Sequence, residues 1–193
     1  MEAEERMHIT VTGTESSGGS LIARTIAHVL GVSEYNDWDG MGPQAASNGT
    51  VKVEHVSLPA GNPSAFPDVQ EWIHGPQRDG TRLFVLTVRD SGISMRSKVR
   101  RSQPHTATTA EEAAAQNSRA AELLTSLAAS TAPHLFLSYE TLVFMRHAYL
   151  QDLYQFLGVV SDFVPPLVDA NERYLLPPLQ EPGPMETPRP VLD

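Results

Sequence analysis

The sequence predicts an α/β fold, a three-layer α/β/α arrangement around a mostly parallel central sheet. Three observations carry that expectation. Short β-rich runs alternate with segments of helical period along most of the chain. The run Leu83-Phe84-Val85-Leu86-Thr87-Val88 is apolar almost without interruption, as a central strand covered on both faces requires. And Ile9 and Val11 lie in a run that passes through the turn Gly13-Thr14-Glu15-Ser16-Ser17-Gly18-Gly19-Ser20 directly into a helical pattern.

Residues 7–12 read as the first strand and 18–31 as the first helix, where Leu21, Ile22, Thr25, Ile26, Val29 and Leu30 recur at helical spacing. Val32 to Gly49 is rich in Gly, Asn, Asp and Ser and is expected to be a loop, with Tyr35 and Trp38 walling a pocket or filling a gap. Val51, Val53 and Val56 mark a second strand that ends near Leu58-Pro59. Pro63 and Pro67 bracket a turn before a short helix through Val69, Trp72 and Ile73. After the third strand, 83–88, a helix runs from about Ser91 to Arg101. Thr108 and Thr109 each precede a glutamate by three residues, a capping-box signal for an alanine-rich helix reaching about Ala129. Leu135-Phe136-Leu137 is the fourth strand, and Glu140 to Leu157 a last amphipathic helix stopped by Gly158. Eight of the 15 prolines fall between Pro165 and Pro190, so residues 1–164 are read as one α/β domain and 165–193 as a proline-rich arm or tail.

A chain of 193 residues suits one such domain and its core. No run of 18 apolar residues is present to span a membrane, and the acidic stretch Met1 to Met7 does not resemble a secretory signal. With no cysteine, disulfides, thiol catalysis and cysteine-ligated metals are excluded, and a cytoplasmic setting is the expectation. A net charge of −9 argues against nucleic acid and anionic membranes as partners. Yet Arg82, Arg89, Arg96, Lys98, Arg100 and Arg101 fall within 20 positions, which suits a small polyanion better than a polymer. Lys98 to Arg101 by themselves read as a solvated helix face.

The turn after the first strand fits the phosphate-loop spacing G-x-x-x-x-G-K-[ST], with Gly19 where the lysine would stand. Such a turn aims backbone N–H groups and a positive helix end at one point. His55, in the second strand, is the candidate general base because imidazole titrates near working pH. Arg89 closes the third strand and offers a fork of donors matched to phosphate, and Ser97 lies eight residues on, able to share that anion. On a parallel sheet these strand ends converge on one crevice. The seven histidines form no pair at metal-ligand spacing, so no metal is expected.

Taken together these residues resemble the PAPS-dependent sulfotransferases. Ser17-Gly18-Gly19-Ser20 stands at the family's Ser-Gly-Thr-Thr-like loop, and His55-Val56-Ser57-Leu58-Pro59 is similar to its His-Leu-Pro, longer by two residues. Arg89 and Ser97 match its arginine and serine at the 3′-phosphate. The run Leu135-Phe136-Leu137-Ser138-Tyr139-Glu140-Thr141-Leu142 with Phe156-Leu157-Gly158 is similar to the family's later strand, Tyr-Glu-Asp-Leu and Phe-Leu-Gly. The resemblance implies a P-loop fold of the sulfotransferase type. It implies transfer of a sulfuryl group from PAPS (3′-phosphoadenylyl sulfate) to a hydroxyl or amine of a small-molecule or glycan acceptor, without a metal. It also implies His55 as the base, Ser16, Ser17, Gly18, Gly19 and Ser20 around the phosphosulfate, Arg89 and Ser97 on the 3′-phosphate, and Tyr139 against the adenine. Three positions depart from the pattern: Ser16 replaces the loop's Lys or Arg, Val53 replaces a lysine two before the histidine, and no late Arg-Lys-Gly segment follows. Two other readings stay open, a catalytically impaired nucleotide-binding or scaffolding relative and a divergent P-loop nucleotide kinase or NTPase. A homo-oligomer is compatible with either.

Overall fold

The sheet has five strands in the order β2-β3-β1-β4-β5. A computed structural model describes residues 7–32, 45–60, 65–75, 80–101, 107 and 109–175. The strands are β1 (Met7–Thr14), β2 (Ala45–Ser47), β3 (Val51–Leu58), β4 (Thr81–Val88) and β5 (His134–Ser138). Between and after them come the helices α1 (Gly19–Val29), α2 (Val69–His74), α3 (Ser91–Arg101), α4 (Ala110–Ala128), α5 (Tyr139–Met145), α6 (His147–Phe156) and α7 (Glu172–Leu175). The pairs β1–β3, β1–β4 and β4–β5 are parallel, and only the edge strand β2 runs antiparallel to β3.

Side-chain alternation divides the interior into two cores. Ile9, Val11, Val53, Leu83, Val85 and Leu137 project to one face, where α1 (Ile22, Ile26) and α6 (Leu150, Leu153, Tyr154) cover them. Leu58, Phe84 and Leu86 project to the other, under Trp72 of α2 and Leu123, Leu124 and Leu127 of α4. The sheet is thus covered on both sides, which explains the unbroken apolar run of β4. Thr10 and Thr12 of β1 are fully buried on the α4 side, where Ala113 and Ala120 keep that helix slim enough to lie close.

The structure adds three features to the sequence expectation. The stretch 32–49, expected as a loop, contains β2, whose Ala45-Ala46-Ser47 carries almost no β signal; Tyr35 and Trp38 lie outside the described residues. The single helix expected over 140–157 is broken at Arg146, which adopts a left-handed φ of 49° between α5 and α6. Lys98, expected on a solvated face, is fully buried. Among the described residues no helix is long and apolar enough to cross a membrane.

Candidate functional site

The chain leaves β1 toward β3 and leaves β4 toward β5, so connections diverge between β1 and β4. Such a switch point opens a crevice at the carboxyl ends of the strands. Register brings Gly13 of β1 level with Ser57 of β3 and Thr87 of β4, and Val88 level with Ser138 of β5. The loop after β1, Arg89, His55 and Tyr139 therefore share one rim.

The loop itself is tightly specified. Ser16 has φ 70° and Gly18 φ 88°, two left-handed residues flanking Ser17. For Ser16 that conformation costs of order 1–2 kcal/mol. It is met by Arg89 Nη1 donating to the Ser16 carbonyl at 2.8 Å and by Ser97 Oγ at 3.0 Å from Ser16 Oγ. The Ser17 hydroxyl is turned inward, 2.7 Å from Thr87 Oγ1. Gly18 caps α1, and a β-carbon there would lie 2.6 Å from the Tyr139 ring. A β-carbon on Gly19 would collide with the His55 imidazole. The two glycines thus let the Tyr139 ring and the His55 imidazole pack directly on the loop. Beyond it, the N–H groups of Gly19, Ser20 and Leu21 begin an 11-residue helix and have no intrahelical acceptor. Such a first turn is the kind of array that suits an anion.

Arg89 is the hub of the other half. Its guanidinium stacks 4.6 Å from the Tyr139 ring and 5.7 Å from that of Tyr174. Nε donates to Asn171 Oδ1 at 2.8 Å, and Nη2 donates to the same oxygen. Burial pulls the Arg89 pKa below its ordinary value, opposed by Tyr139 and Glu140, and the group remains a cation. Ser97 is buried, 3.0 Å from Tyr174 Oη. Tyr139 Oη donates to the Val168 carbonyl at 2.9 Å.

His55 stands across Gly19 from this cluster. Ser20 Oγ is 3.4 Å from its Nδ1 and Ser57 Oγ 3.5 Å from its Nε2, long contacts that leave the tautomer open to either hydroxyl. Burial, and secondly the Arg24 cation, lower its pKa from 6.5 to about 4. The imidazole is neutral at neutral pH.

All nine residues singled out in the sequence (Ser16, Ser17, Gly18, Gly19, Ser20, His55, Arg89, Ser97 and Tyr139) lie on this rim, but the hydroxyls of Ser17 and Ser97 are engaged with the protein. Asp90 caps α3, accepting from the Ile93 N–H at 2.9 Å. Sequence reasoning missed Asn171 and Tyr174, and the only signal for them is that 167–176 is free of proline within a proline-rich stretch. It placed Lys98 on a solvated face, whereas the buried Nζ lies 3.5 Å from Gln116 Oε1. Burial lowers the Lys98 pKa while the Glu15 carboxylate raises it. A separate cavity of about 230 Å³ opens at the opposite rim, lined by His8, Ser47, Thr50 and Lys52, away from the loop and its donors.

Neither a protein-family model nor a curated protein matches the sequence.

Proposed function

We propose that the chain binds an adenine nucleotide at this rim and transfers a sulfuryl group from PAPS to a hydroxyl or amine of a small-molecule or glycan acceptor. The observation that supports it most is the meeting, at one switch point, of a glycine turn at a helix N-terminus, a guanidinium stacked on Tyr139, and a neutral imidazole. The residues present fit the anionic end of such a molecule: first-turn N–H groups of α1 with no intrahelical acceptor and the Arg89 cation lie on the same rim. When bound, PAPS supplies an activated sulfuryl group.

The work of this chain's own residues follows from their chemistry. The N–H groups of Gly19, Ser20 and Leu21, with the exposed Ser20 hydroxyl, donate to the anion in a fixed array that needs no reorganisation. Arg89 binds phosphate through the fork that Asn171 holds in the free chain, and the buried Tyr139 ring backs that guanidinium and leaves no open face for a purine. His55 accepts a hydrogen bond from the acceptor hydroxyl and takes its proton. An imidazole of pKa about 4 is a weak base; an anion at the loop offsets the Arg24 cation, the smaller of the two causes, while burial, the larger, remains. Ser16, standing where the family carries a cation, removes one stabilising contact, and a missing donor of that kind slows transfer by roughly two to three orders of magnitude. That same position, with Glu15 beside it, favours the second reading, a relative that binds nucleotide and has lost transfer.

Calorimetric titration with adenosine 3′,5′-bisphosphate in the absence of magnesium tests the site. Micromolar binding by the wild type, weakened at least tenfold in Arg89→Ala, is the expected result. Absence of binding to the wild type would sink both readings. Binding without sulfuryl transfer, in an acceptor screen with His55→Ala as control, would select the second.

A further inference from the structure

Residues 165–175 run back across the rim, and their contacts are those an incoming anion would make. The buried side chain of Asn171 presents Oδ1 to Arg89 Nε and Nη2, the edge of the guanidinium that a phosphate takes with two oxygens. Nη1 is engaged by the Ser16 carbonyl. Tyr174 covers a face of the same guanidinium and places Oη on Ser97. We propose that residues 165–175 form a self-occluding strap, in which Asn171 and Tyr174 fill the Arg89–Ser97 anion site and a polyanion binds there by displacing them. This rests on the reading that Arg89 and Ser97 face an anion.

The way the strap is fastened supports displacement. Its anchors are mostly polar and basic: Arg96 Nη1 donates to the Tyr174 carbonyl at 2.8 Å and Arg100 Nη1 to the Arg173 carbonyl at 3.2 Å, beside the Arg89 contacts. The Ala170 N–H donates to Tyr139 Oη at 3.2 Å. On the apolar side, Pro165, Leu167 and the Tyr174 ring turn inward, whereas Val164 and Val168 are exposed. With Pro165, Asn171 and Tyr174 buried, the segment opens only where a ligand takes over the hydrogen bonds that hold it. The arginines that fasten it are those a polyanion seeks, so one ligand loosens several anchors together. A phosphate oxygen, charged, forms the stronger bond to guanidinium than the neutral amide oxygen it replaces.

Two substitutions move the strap in opposite directions, and Arg89 reports on it through its rate of modification by phenylglyoxal, read by mass spectrometry. In Asn171→Ala the guanidinium loses its amide partner; modification is expected to rise by roughly tenfold, and affinity for adenosine 3′,5′-bisphosphate to rise by up to about the same factor. Asn171→Asp keeps the shape and puts a carboxylate on Arg89, so both quantities are expected to fall. Unchanged reactivity in the two variants, or weaker bisphosphate binding by Asn171→Ala with Arg89 exposed, overturns the strap. Inorganic pyrophosphate separates it from the nucleotide reading. If pyrophosphate protects Arg89 in Asn171→Ala and the bisphosphate does not, the strap stands and the nucleotide assignment fails. If neither anion protects it, the strap is overturned as a gate.

Discussion

At His55, burial and the Arg24 cation both disfavour the imidazolium, and the pKa falls from 6.5 to about 4. Between those values the unfolded chain binds a proton that the folded chain excludes. The contribution to stability is therefore whole above pH 6.5 and is lost as pH falls through about 4, by at most about 3 kcal/mol. Urea unfolding at pH 7 and pH 4 is expected to show that loss in the wild type and a smaller one in His55→Gln; equal losses in the two would mean the ring is solvated. The residue type and its place near a strand end were legible in the sequence. Its weak basicity was not, because Arg24, 31 positions earlier, approaches it only through the packing of α1 on the sheet.

The element α4 joins a legible start to an illegible middle. Thr109 accepts from the Glu112 N–H at 3.1 Å and Glu112 returns a bond to the Thr109 N–H, the capping box its spacing predicts. Two turns on, Asn117 is buried among Ala113, Ala120 and Leu124, and neither Nδ2 nor Oδ1 has a partner. Leaving an amide so costs about 1–3 kcal/mol, while an apolar group of the same shape costs nothing of the kind. Asn117→Leu is expected to raise the unfolding free energy by about 1–2 kcal/mol, seen as a higher Tm. A lower Tm would show that the amide has a partner in solution. In α5 and α6 the amphipathic period continues through Arg146, so the sequence pattern does not reveal the left-handed break there.

For the molecule as a whole, the two cores share one sheet, and damage to either is expected to lower a single cooperative transition. Leu153 of α6 and Leu127 of α4 are both fully buried, on opposite faces. Truncation of either to alanine is expected to cost about 2–5 kcal/mol, with the same denaturant dependence as the wild type. Two transitions, or a changed slope, would indicate that the layers unfold separately. The strap belongs to this scale too, because it ties residues near 170 to Arg89 after β4 and to side chains of α3 and α5.

The sequence by itself determined the alternation of strands and helices, the buried character of β4, the glycine turn before α1 and the capping of α4, since each is local: period, turn chemistry and side-chain reach act over a few residues. Tertiary structure decided the rest. It alone set β2 on the edge of the sheet, buried Lys98, turned the Ser17 and Ser97 hydroxyls inward, and laid Asn171 on Arg89 across 82 positions. Those outcomes depend on which surfaces meet when separate elements pack, and no local pattern encodes that meeting.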